Sequence, residues 1–470
     1  MEKCKLFINN EWVEGSSGEV IEVENPATKE IIATVPRGNK EDCDKAVAAA
    51  KAAFPKWSQT SPKERADILR KVGEILQSKR DEIAKVITKE LGMPIQHSAL
   101  YHVDAPIYEA GLFADYAENF EYEKKQEGGV VLREAVGVVA GLTPWNYPMD
   151  QVTLKLLPAV AAGNCVILKP SQLAPLSGLI LADAFKEAGC PAGVFNVVTG
   201  AGGEVGNVLA THPDVNMISF TGSTKAGKEV GELAITSNVK KVALEMGGKS
   251  ALVVLEDADL GAAVDEVLYS SFMNSGQTCC AFTRFIIPES KKKEIEDLIV
   301  EKSKGFILGD PMDEKTDIGP VISKKAFDKI KGYIELGLEE GATMLVGEVP
   351  EEPKGGYYIK PVVFTDVDNS MKIAQEEIFG PVLVVITYKD EEEAINIAND
   401  SPYGLDGAVF GSFDKAYEVA KQIKSGGIHI NGAPYDASFP FGGYKESGMG
   451  REGSIYGFEE YLEIKSVFYN

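Results

Sequence analysis

The chain has 470 residues, of which 44% are hydrophobic and 25% charged, and this composition is typical of a globular protein with more than one lobe. The net charge of −23 argues against nucleic acid and anionic membranes as partners, because both require clustered lysine and arginine side chains. The sequence has no apolar run of about 20 residues and no signal peptide, so we expect a cytoplasmic protein without a membrane partner.

Cysteine and histidine are sparse and scattered. The chain has six cysteines without a Cys-x-x-Cys pair and four histidines far apart. In a chain without an export signal, this pattern favours reduced thiols over a disulfide framework. Neither a metal site nor a Ser-His-Asp triad has a sufficient donor set, so we expect no metal.

The N-terminal region predicts a hairpin followed by helices. Residues 5–13 alternate around Asn9-Asn10, a pair that tolerates left-handed backbone. Ser61-Pro62-Lys63-Glu64 forms a capping box, and the apolar spacing after it predicts one amphipathic helix over residues 62–91. A further helical stretch extends to about residue 119.

Short apolar runs then alternate with helical segments, which predicts a parallel, doubly wound sheet. The runs cover residues 136–142, 165–168, 194–198, 216–220 and 242–244. Ligands of such sheets bind beyond the carboxyl ends of the strands, so the loops at those ends are the candidate site for a dinucleotide.

These loops carry glycines, hydroxyls and a lysine. Gly222-Ser223-Thr224 leads into a helix and offers backbone amides to a phosphate. The segment that contains Gly202 and Gly206 misses the dinucleotide-binding spacing by one residue and fits an ordinary turn equally well. Lys169 is suited to ribose hydroxyls, and it fits a solvated surface cation as well.

Glu245 follows the last of these strands and precedes a pair of glycines. Apolar neighbours are expected to raise the pKa of its carboxyl group towards the range of a general base. A capping or interface glutamate would show the same pattern. Cys279 lies 34 residues further along (279 − 245), with one predicted strand and one predicted helix between them.

Residues 274–281 place two adjacent thiols, Cys279 and Cys280, after a glycine-permitted bend at Gly276. Backbone amides at such a bend are expected to lower the pKa of the Cys279 thiol and to supply oxyanion donors. Taken alone, the segment fits an inert pair of buried thiols equally well.

Several motifs in order resemble the aldehyde dehydrogenase superfamily over nearly the whole chain. The motifs are Pro144-Trp145-Asn146, Phe220-Thr221-Gly222-Ser223-Thr224, Glu245-Met246-Gly247-Gly248-Lys249, Gly276-Gln277-Thr278-Cys279 and Glu377-Ile378-Phe379-Gly380-Pro381. Each of them stands at a predicted strand end or turn.

The resemblance implies a catalytic role for three residues. Cys279 would attack the aldehyde, while the Asn146 amide and the Cys279 backbone N–H would hold the resulting oxyanion. Glu245 would activate the water that hydrolyses the thioester. Cys280 would be a neighbour in the substrate channel. One alternative is a relative that acylates coenzyme A, and an intact Glu245 favours hydrolysis over it. The other is an inactive binding protein with the same fold, and the presence of all three residues disfavours it.

The resemblance also implies a nicotinamide cofactor. Trp145 and Ser223 would lie near the adenine-side phosphates, Lys169 at the adenosine ribose, and Glu377 and Phe379 at the nicotinamide side. Gln172 stands where relatives that prefer NAD commonly carry glutamate. Because glutamine removes the repulsion of a 2′-phosphate, we expect activity with both NAD and NADP.

The implied architecture is α/β, with a Rossmann-like doubly wound cofactor domain, an α/β catalytic domain and a small β oligomerisation arm. The boundaries are 1–118 and 137–247 for the cofactor domain, 248–448 for the catalytic domain, and 119–136 and 449–470 for the arm. Strands at 130–133 and 461–468 would extend across a dimer, which predicts a homodimer or a dimer of dimers, although an edge strand within one chain is the alternative.

The resemblance places a substrate channel beside Asn146. Its expected lining is mostly apolar and uncharged, which favours a short or medium uncharged aliphatic or aromatic aldehyde over an anionic one. The lining residues would be Tyr147, Met149, Gln151, Val152, Leu154, Thr278, Cys280 and the loop 435–439.

Overall fold

The computed structural model describes residues 2–470, which form 16 α-helices and 21 strands. The helices are α1 (Lys40–Trp57), α2 (Pro62–Ser78), α3 (Arg80–Leu91), α4 (Ile95–Ala99), α5 (Ala105–Asn119), α6 (Asp150–Ala161), α7 (Leu176–Glu187), α8 (Asn207–Thr211), α9 (Thr224–Asn238), α10 (Leu260–Phe272), α11 (Lys292–Lys302), α12 (Lys324–Glu339), α13 (Lys372–Gln375), α14 (Glu391–Asn399), α15 (Phe413–Ala420) and α16 (Ser454–Glu459). The strands are β1 (Glu2–Lys3), β2 (Leu6–Ile8), β3 (Glu11–Val13), β4 (Val20–Glu24), β5 (Ile31–Pro36), β6 (Glu123–Gln126), β7 (Gly129–Ala135), β8 (Val138–Leu142), β9 (Cys165–Lys169), β10 (Phe195–Val197), β11 (Met217–Thr221), β12 (Lys241–Glu245), β13 (Ala251–Val254), β14 (Arg284–Pro288), β15 (Thr343–Val346), β16 (Val362–Thr365), β17 (Val382–Tyr388), β18 (Gly407–Phe410), β19 (His429–Ile430), β20 (Gly448–Met449) and β21 (Leu462–Phe468).

An eight-stranded sheet has the order β20-β12-β11-β8-β9-β10-β2-β3, and its five central strands run parallel. Helices α1, α6, α7 and α9 pack against those strands. The register sets Leu142 beside Lys169 and Thr221 beside Glu245, so the carboxyl ends of these strands meet at one edge. The predicted doubly wound α/β fold is confirmed.

A second sheet of seven strands has the order β15-β16-β17-β14-β13-β18-β19 and is parallel except at its β15–β16 end. The chain enters it through β13 shortly after Glu245, and it returns through α10 to the loop that carries Cys279. Strand β14 follows that loop and pairs with β13. One strand and one helix therefore separate Glu245 from Cys279, as the sequence predicted.

The predicted strands near residues 130 and 461–468 pair with each other within one chain. Strand β21 runs antiparallel to β7, from Leu462 opposite Ala135 to Phe468 opposite Gly129, and forms the end of a three-stranded sheet with β6. Its residues after Leu462 are exposed. The pairing is therefore internal, and the extension across a dimer stays a prediction.

Two local predictions in the N-terminal region have different outcomes. The hairpin is confirmed, with Asn9 and Asn10 at φ 54° and 66°. The single helix over residues 62–91 is wrong, because Lys79 leaves helical geometry (φ −112°, ψ 14°) and divides it into α2 and α3. The capping box at Ser61 and Glu64 is present.

Among the described residues, no helix is long and apolar enough to cross a membrane.

Candidate active site

The loop that carries Cys279 has an unusual backbone. Asn274, Ser275 and Gly276 have consecutive φ values of 49°, 56° and 72°, which lie in the left-handed region. Gly276 must be glycine there, because a Cβ atom on it would lie 2.1 Å from the Gly380 carbonyl oxygen. This close approach joins the cysteine loop to the Glu377–Pro381 segment.

Hydrogen bonds attach the same loop to the residues after β8. Asn146 donates its side-chain amide to the Gln277 carbonyl (3.1 Å), and Asn274 donates to the Asn146 carbonyl (2.9 Å). The Tyr147 hydroxyl lies 2.9 Å from Thr278 Oγ1. The Asn146 amide and the Cys279 residue are thereby brought to one cavity, which both line.

The Cys279 thiol is partly exposed and has the opposite pKa shift from the one expected. Its hydrogen-bonding neighbour Cys280 and its burial raise the pKa well above the ordinary value, and the charges of Glu377 and Asp406 act in the same direction. The prediction of a lowered pKa is wrong. It considered only backbone amides, whereas the adjacent Cys280 thiol and the burial of the site have the larger effect on this pKa.

Glu245 is 2% exposed, and neither of its carboxylate oxygens has a hydrogen-bond partner. Burial raises the pKa of this carboxyl well above its usual range, and the nearby Glu452 adds to the shift. The predicted direction is confirmed. Gly442 lets the chain pass beside the carboxylate, since a Cβ atom on it would lie 2.6 Å from Glu245 Oε1.

A cavity of about 460 Å³ extends from Cys279 along the edge of the eight-stranded sheet. Of the residues predicted at the site, Trp145, Asn146, Ser223, Cys279, Glu377 and Phe379 line it. The rings of Trp145 and Phe379 meet edge to face with their centroids 5.4 Å apart. Glu377 accepts a hydrogen bond from the Gly248 amide (3.1 Å).

The lining fits a dinucleotide. Ser223 lines the cavity and caps the 15-residue helix α9 by accepting from the Ala226 amide, so the N-terminus of a helix lies beside the cavity. Gly222 and Gly247 let Phe220 and Glu377 pack closely beside the cavity, because a Cβ atom would meet them at 2.6 Å and 2.5 Å. The volume lies within the range of small-molecule sites, roughly 300–1,000 Å³.

Four predicted cofactor residues are not among those that line the cavity. Lys169 is 8% exposed, and burial lowers the pKa of its amine to about 8, so it is not a solvated surface cation. Gln172 is exposed. Gly202 and Gly206 begin and end one wide helical turn ahead of α8. Their contacts with a cofactor stay predictions.

Sequence reasoning missed the start of α12. Ser323 caps that helix, and Lys325, Ala326 and Lys329 of its first two turns line the cavity opposite Trp145. The Lys329 amine also donates to the Glu377 carbonyl (3.0 Å). The capping serine before an amphipathic run was the available signal, but it does not reveal what the helix faces.

The predicted substrate channel is only partly correct. Met149 and Val152 are 0% and 1% exposed, so they offer no surface to a substrate. Gln151 lines the cavity described above.

Comparison with known proteins agrees with this arrangement. The family model described as "Aldehyde dehydrogenase family" matches residues 12–467. A putative aldehyde dehydrogenase of Staphylococcus saprophyticus is 45% identical over 472 residues, which cover 99% of each chain. A putative aldehyde dehydrogenase of Staphylococcus aureus is 45% identical over 467 residues, which cover 98% of each chain.

Solved structures are similar over the whole fold. A mutant of aldehyde dehydrogenase C from Pseudomonas syringae, in complex with NAD⁺ and octanal, is 42% identical with a TM-score of 0.97, covering 99% of this chain and 96% of that one. Betaine aldehyde dehydrogenase from Staphylococcus aureus, in complex with NAD⁺, is 38% identical with a TM-score of 0.96, covering 98% and 94%. The chain belongs to the aldehyde dehydrogenase family.

Proposed function

We propose that Cys279, Asn146 and Glu245 together oxidise an aldehyde to a carboxylic acid with NAD or NADP. The observation that carries the proposal is their convergence: Asn146 and Cys279 line one cavity, and the buried Glu245, which lies close enough to Cys279 for their charges to interact, has two unpartnered oxygens. An unpartnered buried carboxylate is costly, and it is expected where the group must exchange a proton with substrate or water.

In the first step, Cys279 Sγ bonds to the carbonyl carbon and its proton is released to solvent water. Because the pKa of the resting thiol is raised, this proton transfer accompanies the attack. The Asn146 amide and the Cys279 N–H donate to the oxygen that becomes negative. When bound, the nicotinamide accepts a hydride from the same carbon, which leaves a thioester on Cys279.

In the second step, water attacks the thioester carbon and Glu245 takes the proton. The carbon–sulfur bond breaks, the carboxylic acid leaves, and the Cys279 thiolate takes the proton back from Glu245. Burial raises the pKa of Glu245, so its carboxylate is a stronger base than an exposed glutamate. The absence of a hydrogen-bond partner leaves both oxygens free to accept from water.

Trp145, Ser223, Glu377 and Phe379 would hold the cofactor along the cavity. The NAD⁺ complexes of the relatives from Pseudomonas syringae and Staphylococcus aureus support NAD as one cofactor. Lys169 would bind the adenosine ribose, with Gly202 and Gly206 nearby. NADP is the second cofactor, because Gln172 has no charge to repel a 2′-phosphate.

The substrate proposed is a short or medium aldehyde with an uncharged aliphatic or aromatic body. The octanal complex of the Pseudomonas syringae relative supports an aliphatic one. The Tyr147 hydroxyl contacts Thr278, the residue before Cys279, and a carboxylate or phosphate on the substrate would need a positioned cation.

We further propose a homodimer or dimer of dimers in the cytoplasm. Strand β21 ends its sheet with Ile464 and Phe468 exposed by 64% and 84%, which supports an oligomeric interface. All six cysteines are free, as expected of a reducing compartment. The proposed domain boundaries are 1–118 and 137–247 for the cofactor domain, 248–448 for the catalytic domain, and 119–136 and 449–470 for the arm.

Steady-state kinetics with a panel of aldehydes and each cofactor tests this function. Octanal with NAD should be oxidised to octanoate without coenzyme A. Cys279→Ala should abolish oxidation while NAD binding, measured by calorimetry, remains, and Cys280→Ala should keep most of the activity. Substantial oxidation by Cys279→Ala would overturn the assignment.

A further inference from the structure

The chain neighbours of the oxyanion donor and the nucleophile are in contact with each other. Tyr147 directly follows Asn146, and Thr278 directly precedes Cys279. The hydroxyls of Tyr147 and Thr278 lie 2.9 Å apart and share a hydrogen bond. Both residues are buried, with 9% and 8% of their surface exposed, so water does not compete for either hydroxyl.

Two other hydrogen bonds join the same two segments, and both lie further from Cys279. The Asn146 side chain donates to the Gln277 carbonyl (3.1 Å), and Asn274 donates to the Asn146 carbonyl (2.9 Å). Residues 274–277 form a closed turn, because Gln277 donates to the Asn274 carbonyl from its backbone N–H (3.1 Å) and from its side-chain amide (3.0 Å). A turn attached at two points can still rotate about the line between them. The hydroxyl contact, one residue nearer to Cys279, is a third point that restrains this rotation.

Both sides of this third point are held in place. The ring of Tyr147 packs against His102 and Tyr101, with centroid distances of 5.5 Å and 6.1 Å, and the His102 side chain is fully buried. Packing of this kind keeps the tyrosine hydroxyl at a fixed position. On the opposite side, a Cβ atom on Gly248 would lie 2.6 Å from the Cys279 carbonyl oxygen. The Cys279 backbone is therefore held between Gly248 and the hydroxyl contact.

The two hydroxyl-bearing residues stand outside the cavity. Neither Tyr147 nor Thr278 is among the residues that line it, although the sequence assigned both to the substrate channel. A buried contact that a ligand in this cavity does not touch acts on the reaction through the groups that it holds. Those groups are Asn146 and Cys279, and a displacement of about 1 Å at a reaction centre can lower the rate by roughly 100-fold.

We propose that the hydrogen bond between Tyr147 and Thr278 sets the position of the Cys279 sulfur relative to the Asn146 amide. Tyr147 and Thr278 are thus positioning residues for the reaction and do not select the aldehyde. This inference rests on the proposed function, because it takes Asn146 and Cys279 as the groups that act on the carbonyl.

The test removes one hydroxyl at a time with little change of shape, in Tyr147→Phe and Thr278→Val. The measured quantity is the first-turnover rate of NADH formation at saturating octanal and NAD, which reports the attack and the hydride transfer. Because two hydrogen bonds and the ring packing remain, the displacement is a fraction of 1 Å and each variant should be about tenfold slower. The KM for octanal should stay within about twofold, since no contact with the substrate is lost.

The double variant shows whether the two residues act through one contact. Tyr147→Phe combined with Thr278→Val should be about tenfold slower than the wild type, and not about 100-fold, because both substitutions remove the same hydrogen bond. Thr278→Ser restores a hydroxyl and should recover most of the rate that Thr278→Val loses.

A second buried pair of hydroxyls supplies the matched control. Tyr461 is 2% exposed and donates to Ser219 Oγ at 3.0 Å. Tyr461→Phe should lower Tm as Tyr147→Phe does, but it should keep the first-turnover rate. Propanal is the control for the substrate, because a shift at the carbonyl carbon slows propanal and octanal by the same factor, whereas a residue that lines the channel affects the longer aldehyde more.

Three results would overturn the positioning role: wild-type rates in both single variants, losses that multiply in the double variant, or a loss that grows with the length of the aldehyde. If either single variant does not fold, the other is compared with the wild type and with Tyr461→Phe. A wild-type enzyme that does not oxidise octanal would instead overturn the proposed function.

A reaction without cofactor tests the contact independently of that function. With 4-nitrophenyl acetate, Cys279 Sγ bonds to the acetyl carbon, the ester C–O bond breaks, 4-nitrophenolate leaves and the thiol proton passes to water. This step uses the sulfur and the oxyanion donors alone. The first burst of 4-nitrophenolate should also be about tenfold slower in Tyr147→Phe and in Thr278→Val, and an unchanged burst rate would contradict the proposal.

Discussion

Gly276→Ala should separate backbone geometry from side-chain chemistry at the cysteine loop. The added Cβ atom would lie 2.1 Å from the Gly380 carbonyl oxygen, whereas a carbon and an oxygen pack at about 3.3 Å, so one segment must move by about 1.2 Å. The left-handed φ of 72° adds about 1–2 kcal/mol of backbone strain for alanine. If the cysteine loop moves, Cys279 shifts relative to Asn146. If the Glu377–Pro381 segment moves, Phe379 shifts relative to a bound nicotinamide.

A displacement of about 1 Å at a reaction centre can lower the rate by roughly 100-fold, so kcat/KM for octanal should fall by about two orders of magnitude. The assay is initial-rate production of NADH at saturating NAD, with folding checked by circular dichroism. Gly332→Ala is the matched control, because Gly332 is exposed within α12 and no atom lies near its Cβ position. Gly276→Ala with wild-type kcat/KM would refute the reasoning.

The remaining predictions concern charge and proton transfer. Asn146→Ala should lower kcat by about 10²–10³, the cost of losing one oxyanion donor, and leave NAD affinity nearly unchanged; a smaller loss in kcat would speak against that role. Because the pKa of Cys279 and that of Glu245 are both raised, kcat/KM should rise as pH increases above neutral, and a profile that falls there would contradict the assignment. Gln172→Glu should reduce kcat/KM with NADP about tenfold and spare NAD, and equal effects on both would argue against the proposed ribose contact. Burial lowers the pKa of the unpartnered Lys249 amine from 10.5 to about 7, so the amine loses its proton when the chain folds. The free energy of unfolding therefore decreases as pH falls from about 10.5 to 7. Lys249→Met should raise Tm at pH 7, and a lower Tm would contradict this.

The sequence predicted the architecture, and it predicted that Asn146 and Cys279 lie at one site, because both depend on local patterns. Strand and helix alternation fixes the parallel sheet, and motifs at strand ends are carried to one edge. The run of left-handed residues at Asn274 and Ser275 was not predictable, since neither residue type requires that conformation and tertiary contacts hold it.

The surroundings of Cys279 account for the pKa prediction that failed. The neighbouring Cys280 thiol and burial raise this pKa, and the charges of Glu377 and Asp406, which lie about 100 residues or more away in the chain (377 − 279 and 406 − 279), add to the shift. Sequence spacing does not reveal how deeply a thiol is buried or which carboxylates lie near it, so the environment of Cys279 needed the structure.

The most direct test of the catalytic assignment is mass spectrometry of the Glu245→Gln enzyme after mixing with octanal and NAD. Without the base, hydrolysis should slow while the first step continues, so an octanoyl group should accumulate on the peptide that contains Cys279. The time course should show a burst of NADH followed by slow turnover. An acyl group on Cys280, or a burst without any acyl adduct, would contradict the account.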